Sequence, residues 1–291
     1  MARRSARLGL VTAVALAAGT TSLVAVPAQA SPSTTISVYV TAGHVVRMTQ
    51  HMHPGVHRFK VGSAKIASFQ IVKPRPGYTK AMLAHDVANS LAAQDSSTPK
   101  ALRALKRFTR NTTLYGGVTS GPRHRGNMWV DLPSGTYWAA DTNPPVPDVA
   151  DIVTFHVGGG RVAGALPSGP VLRIVDEHTW AASPRSIPHA GVLTLRNDSV
   201  DDHFLDLARL APHKTDGDFA RWVEQVMQGK NVPPPLANVP SFDSGVVSPG
   251  IAFAVAYDKN RGPFEMLCWW PDLENGMPHA FMGMHRYVKL T

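Results

Sequence analysis

The 291-residue chain holds one cysteine, Cys268, inside the stretch LCWWPDLENGMPHAFMGM that spans 267–284. His279 follows after ten intervening residues and Met284 five positions later, while His203 lies far upstream, directly behind the turn NDSVDD. A lone thiol can be a buried inert side chain, half of an intermolecular disulfide, or a thiolate held by a metal. Exposed and free in an oxidising compartment, it would be oxidised or mispaired. Two imidazoles and a thiolate in one plane, with a weak thioether on the axis, suit copper: soft sulfur favours the reduced ion and imidazole accommodates both states. Bound metal would replace the thiol proton and shield the sulfur. Zinc also accepts Cys and two His, but a thioether is a poor zinc ligand. Taken singly, each residue has a plainer role: His203 a polar edge residue, Met284 a core filler, Cys268 a small hydrophobe.

To meet, these residues must be carried by strands that converge at one end of a sandwich. GVLTLRND and HFLDLARL alternate as strands do, DFARWVEQVMQ reads as an amphipathic helix behind Asp216 or Asp218, and VSPGIAFAVAYD, GPFEMLCWWPD and HRYVKL complete the second half. The first half follows the same order: strands in GVHRFKVG and ASFQIVKP, helices in AMLAHDVANSL and ALRALKRF, then NMWVDL, SGTYWAADTN and IVTFHV. Between them NPPVPDVAD and VGGGRVAGALPSGP carry linker chemistry, and no helix pattern follows Gly160 to make a dinucleotide loop. An internal duplication accounts for this order. The expected fold is all-β, two Greek-key sandwich domains with helical insertions, at 31–160 and 161–291. Aligning GTYWAAD with GPFEMLC sets Asp141 opposite Cys268, and Ala67 or Ser68 opposite His203, so any site belongs to the second half.

The turn NDSVDDHF before an early histidine, with a late Cys, His and Met, resembles the cupredoxin superfamily, which includes plastocyanin, azurin and the blue-copper domain of copper nitrite reductase. The His-x-x-x-Gly-Met spacing of His279, Gly283 and Met284 is similar to the extended ligand loop of the nitrite reductase type, and the first half reads as a degenerate copy. The resemblance implies two cupredoxin-like sandwiches and one mononuclear copper, with His203, Cys268 and His279 as strong ligands and Met284 axial. The pattern departs from the oxidases and nitrite reductases at the cysteine's flanks. Leu267 and Trp269 stand where those proteins place a histidine leading to a second copper. His51-Met52-His53 resembles half of an oxidase His-x-His signature, and His44, His51, His53 and His57 are expected at surfaces or turns, an accessory metal patch being the alternative. Asp201 and Asp202 are expected to shape the turn or to hydrogen-bond an imidazole, and acid should compete for the imidazoles below about pH 6.

Residues 1–30, with a basic start, an apolar middle and Ala28-Gln29-Ala30, read as a secretory leader for Sec or Tat export, cleaved after Ala30. Gly19, Thr20, Thr21 and Ser22 break the apolar run too early for a transmembrane span. Cleavage removes Arg3, Arg4 and Arg7 and no acid, lowering a formal charge of +9 by three. The basic run from Lys100 to Arg110 reads as a solvated helix face, and no nucleic-acid module is present. No Gly-x-Ser-x-Gly elbow, His-Glu-x-x-His pair or P-loop occurs. The expectation is a secreted copper protein that transfers electrons, its partner a redox protein or a copper donor or acceptor. A copper chaperone or scavenger, and a metal-free extracellular interaction module, are the alternatives. Oxidase or nitrite reductase activity would need a second copper.

Overall fold

The computed structural model describes residues 34–91, 97–144, 146–181 and 184–291; the expected leader lies outside them. The first half runs β1 (Thr34–Val40), β2 (Val46–Arg47), β3 (His51–Met52), β4 (Gly55–Ser63), β5 (Ala67–Pro74), α1 (Lys80–Asn89), α2 (Pro99–Asn111), β6 (Thr112–Ser120), β7 (Gly126–Leu132), β8 (Gly135–Asp141) and β9 (Val153–Val157). The second runs β10 (Val171–Asp176), β11 (Thr179–Trp180), β12 (Ser186–Ile187), β13 (Ala190–Asn197), β14 (Asp206–Arg209), α3 (Asp216–Met227), β15 (Phe242–Asp243), β16 (Ala252–Asp258), β17 (Gly262–Leu267) and β18 (His285–Leu290).

The duplication read from the sequence is strict in topology. One five-stranded sheet is ordered β3-β9-β8-β5-β6 and the other β12-β18-β17-β14-β15, the same path strand for strand. The remaining strands form one eight-stranded sheet, β11-β10-β13-β16-β7-β4-β1-β2, whose order mirrors about the junction of β16 and β7. There Phe253 pairs with Val130, Ala254 with Trp129 and Val255 with Met128, so the two sandwiches share a continuous layer. The layers face one another through side chains such as Phe59 on Phe69 at 5.9 Å and Phe242 on Tyr257 at 6.0 Å. The architecture is all-β, two sandwiches with helical insertions.

Local chemistry explains the elements. In β1 every second side chain is buried, from Ile36 through Val38 to Val40, which is the period of a half-buried strand. The helices begin at threonines whose side chains accept backbone N–H groups: Thr79 from Met82, Thr98 from Ala101, and Thr215 from Asp218, where Asp218 returns the bond to complete a capping box. Helix α2 buries Ala101, Ala104, Leu105 and Phe108 and leaves Arg103, Lys106 and Arg110 in solvent, the solvated basic face that was expected. No described helix is long and apolar enough to cross a membrane.

The first half grips the segment 244–248 of the second. Gly116 N–H donates to the Val246 carbonyl at 2.9 Å, Gly117 N–H to Ser244 at 3.2 Å, and Ser248 N–H to Leu114 at 2.9 Å. The Gln70 amide extends this ladder like a peptide group, donating to the Val246 carbonyl at 3.0 Å and accepting its N–H at 2.9 Å. Glycines permit the close approach: a Cβ on Gly117 would sit 2.1 Å from the Phe69 carbonyl, and one on Gly245, which has φ +67°, 2.5 Å from Gly117.

Candidate metal centre

His203 is held by the segment that the first half grips. It donates its N–H to the Val247 carbonyl at 3.1 Å and accepts the Val247 N–H at 2.7 Å. The turn before it is tied by Asn197, whose amide donates to the carbonyls of Asp201 and Val247 at 2.6 and 2.9 Å and whose oxygen accepts from Ser199. Asp201 takes part in this turn through its backbone carbonyl, and the buried Asp202 carboxyl turns away to accept from Ser248 at 2.5 Å; among the described residues neither carboxylate is hydrogen-bonded to an imidazole. Burial pushes the Asp202 carboxyl up to about 7.

The loop after β17 folds back on Cys268. The Cys268 carbonyl accepts from Ala280 N–H at 2.7 Å, the Trp270 carbonyl from His279 N–H at 2.9 Å, and the Cys268 N–H reaches the Met284 carbonyl at 3.4 Å. Asp272 closes the far end by accepting the N–H groups of Glu274 and Asn275, both at 2.9 Å. A short 3-10 turn, His279–Met282, ends at Gly283 with φ +107°, a left-handed position that glycine occupies without a Cβ penalty. This puts Met284 back beside the cysteine.

His203, Cys268, His279 and Met284 are all fully buried. Cys268 Sγ lies 3.6 Å from His203 Nδ1 and 3.8 Å from His279 Nδ1, and the two nitrogens are 3.1 Å apart. These three distances define a point about 2.0 Å from each atom, the length of a metal–imidazole bond and slightly short for a metal–sulfur bond. Without an ion the cluster is poorly satisfied, because one thiol proton can serve only one of two converging nitrogens. Both Nε2 atoms lack a hydrogen-bond partner among the described residues. Met284 joins through its backbone, donating to the His279 carbonyl at 2.9 Å, and through the core it shares with Cys268.

Burial keeps every donor neutral in the ion-free protein. It pushes the Cys268 thiol up to about 12. It pulls His203 down to about 2, with His279 and His178 adding to the effect, and His279 down to about 4, with His178 adding. Acid therefore protonates these rings later than the free imidazole value of about 6.5 implies, and a metal meets its main proton competition at sulfur.

One neighbour was not anticipated from sequence. His178, between β10 and β11, stands edge-on to His279 with ring centroids 4.9 Å apart and its Nε2 3.8 Å from Asp272. Its side chain is 20% exposed, so it lies between the buried centre and solvent. No spacing signal links it to a loop a hundred positions on. Trp269 donates to Asp206 at 2.8 Å and Trp270 packs on Phe108 of α2 at 6.1 Å.

The first-half histidines do not gather. His44 lies 2.7 Å from Asp141, and His51 stacks on His156 at 5.6 Å. His57, expected at a surface or turn, is buried in β4 with Nε2 2.6 Å from the His53 carbonyl, because its place in the strand faces inward. Among the described residues no three-donor group includes His44, His51, His53 or His57.

No protein-family model matches the chain, and no curated protein matches it. Solved structures similar to it include dithionite-reduced auracyanin from Roseiflexus castenholzii, 14% identical over 44% of this chain and 99% of that one, with a TM-score of 0.29. The laccase Lac15 from a marine microbial metagenome is 10% identical over 87% of this chain and 65% of its own, with a TM-score of 0.26. A copper-containing nitrite reductase from Thermus scotoductus is 9% identical over 90% and 68%, with a TM-score of 0.23. At such overlaps the likeness decides nothing about chemistry, which rests on the donor geometry.

Proposed function

We propose that the chain is a secreted, mononuclear copper protein that carries electrons. Its sandwiches occupy 31–160 and 161–291, and its leader, 1–30, is removed. The observation that carries this reading is the convergence of one sulfur and two imidazole nitrogens, all buried, around a point at bonding distance from each. His203, Cys268 and His279 would hold the ion and Met284 would supply the thioether. Copper bound there would supply one-electron exchange between Cu(I) and Cu(II).

The residues do the rest. Burial excludes water and leaves no open position for a substrate, so the centre suits electron exchange better than bond-making chemistry. The hydrogen-bonded loop and the Val247 ladder hold the three donors in one arrangement, which limits the reorganisation that each redox change requires. The partly exposed His178, edge-on to His279, marks the side a redox partner would approach.

The chaperone reading differs in one respect: it needs an ion that leaves. Loading the full chain with one copper and cycling it between ascorbate and ferricyanide in the presence of a Cu(I) chelator separates the two. A carrier retains its copper through repeated cycles; loss of most of the metal in the first reduced phase supports a chaperone. A chain that takes up no copper under any condition returns the protein to the metal-free interaction module.

A further inference from the structure

A second group of ligating side chains lies on the outer face of the same sheet. Along β17 and the residue that follows it, Phe264, Met266 and Cys268 lie in the sandwich core, whereas Leu267 packs outward with Phe219 and Val223 of α3. Alternation therefore sets Glu265 on the outer face under the start of α3, and it is fully buried. No N–H or hydroxyl donor among the described residues reaches either of its carboxylate oxygens. His285, cross-strand from Leu267, packs on the Phe219 ring at 5.1 Å and brings its Nδ1 to 3.4 Å from Asp216 of α3. Ligand atoms of Asp216, Glu265 and His285 all lie within 4.8 Å of one another.

The duplication shows how unusual this is. Matching Ala140 to Leu267 by strand register makes Trp138 the counterpart of Glu265 and Ile152 the counterpart of His285. Both counterparts are apolar and buried, with Trp138 stacked on Tyr78. An acid and an imidazole thus replace two hydrophobic residues at the same place under the helical insertion. A buried carboxylate without a partner is costly. Burial, then the charge of Asp216 and the hydrogen bond that a proton forms between the two carboxyls, push the Glu265 carboxyl up to about 8 in the ion-free protein, since no cation offsets the pair.

We propose that Asp216, Glu265 and His285 form a second cation site, separate from the thiolate centre, that takes a divalent ion of the zinc class. One imidazole and two carboxylates match zinc chemistry and leave a fourth position for water. Calcium and magnesium favour all-oxygen shells, and Cu(I) favours sulfur. The side chain of Asp216 is 51% exposed and that of His285 16%, so the site opens to solvent on the Asp216 side while Glu265 forms its floor.

The test is calorimetric titration of Zn(II) into the full chain carrying Cys268→Ser, which removes the thiolate and leaves the outer face untouched. The expected result is one tight equivalent of zinc and a rise in Tm, with affinity reduced about 100-fold or more by adding Glu265→Gln and about tenfold by adding Asp216→Asn. Calcium should not compete. The Glu265→Gln chain should unfold no earlier than its parent without zinc, since it removes a buried acid; if it fails to fold, Asp216→Asn decides, its side chain being half in solvent. Zinc uptake unchanged by both substitutions, or no uptake at all, overturns the proposal and leaves Glu265 and Asp216 as a carboxyl pair sharing a proton. Because Cys268 is absent from this experiment, its outcome does not depend on whether the copper reading holds.

Discussion

The two halves carry the same strands in the same order and close their tips by different chemistry. Strand register sets Ala67 opposite His203 and Asp141 opposite Cys268, resolving the choice between Ala67 and Ser68. In the first half the Asp141 carboxylate ties the tip with hydrogen bonds, accepting the N–H groups of Ser68 and Asn143 at 2.8 and 2.9 Å and facing His44 at 2.7 Å. In the second half the matching side chain is a thiol facing two imidazoles. A knot of hydrogen bonds is complete without a ligand; one sulfur and two imidazole nitrogens converging on a point are not. The halves also divide labour: the first grips segment 244–248, and that segment holds His203.

The largest effect should come from cutting the second tip. His203→Ala removes one strong donor, and copper affinity measured against a competing chelator should fall about a thousandfold, with the fold retained. Unchanged affinity would remove His203 from the centre.

Gln70→Ala tests the division of labour, since Gln70 is in the first half. It removes both Gln70 bonds, leaving the Val246 N–H unpaired while the Val246 carbonyl keeps the Gly116 N–H, and should cost about 1–3 kcal/mol in denaturant unfolding. Copper affinity should drop as well, because the Val247 ladder loses its backing. A stability loss with full affinity would show that His203 is positioned without help from the first half. Asp141→Ala should cost about 1–2 kcal/mol and leave copper binding alone, confining the first tip to a structural role.

The smallest effect is a pH dependence. Burial, with Asp206 adding, pushes Asp243 up to about 6, while its bond from Gly245 N–H at 2.6 Å pulls the other way. A raised acid favours the folded state while protonated, so this contribution is full below about pH 4 and is lost as pH rises through about 6. Asp243→Asn keeps the acceptor for Gly245 and should raise Tm at pH 7.5 by the equivalent of about 1–2 kcal/mol, with little change at pH 4. Equal shifts at both pH values would assign the effect to packing.

Much of this was legible in the sequence because the patterns were local. The alternating runs of β4, β5, β13 and β16 and the Cys, His and Met of one loop declare themselves within a few residues, whereas α3 starts at Asp216 behind a Thr215 cap, earlier than the start expected behind Asp216 or Asp218. What was hidden depends on partners far along the chain. Strand β6 reads TTLYGGVTS, and its paired glycines look like a break. They are instead where Phe253 and the Phe69 carbonyl press against the backbone, leaving no room for a Cβ. His178, Asp216, Glu265 and His285 carry no shared motif, and only the folded sheet brings each group together. The leader lies outside the described residues and stands on sequence alone.

The central claim is that folding gathers Cys268, His203 and His279 around one ion. Absorption spectroscopy of the full chain titrated with Cu(II) tests it most directly. The account predicts an intense visible band from thiolate-to-copper charge transfer that saturates at one equivalent and is absent from Cys268→Ser. A solution that stays colourless, or a band that survives the substitution, would contradict it.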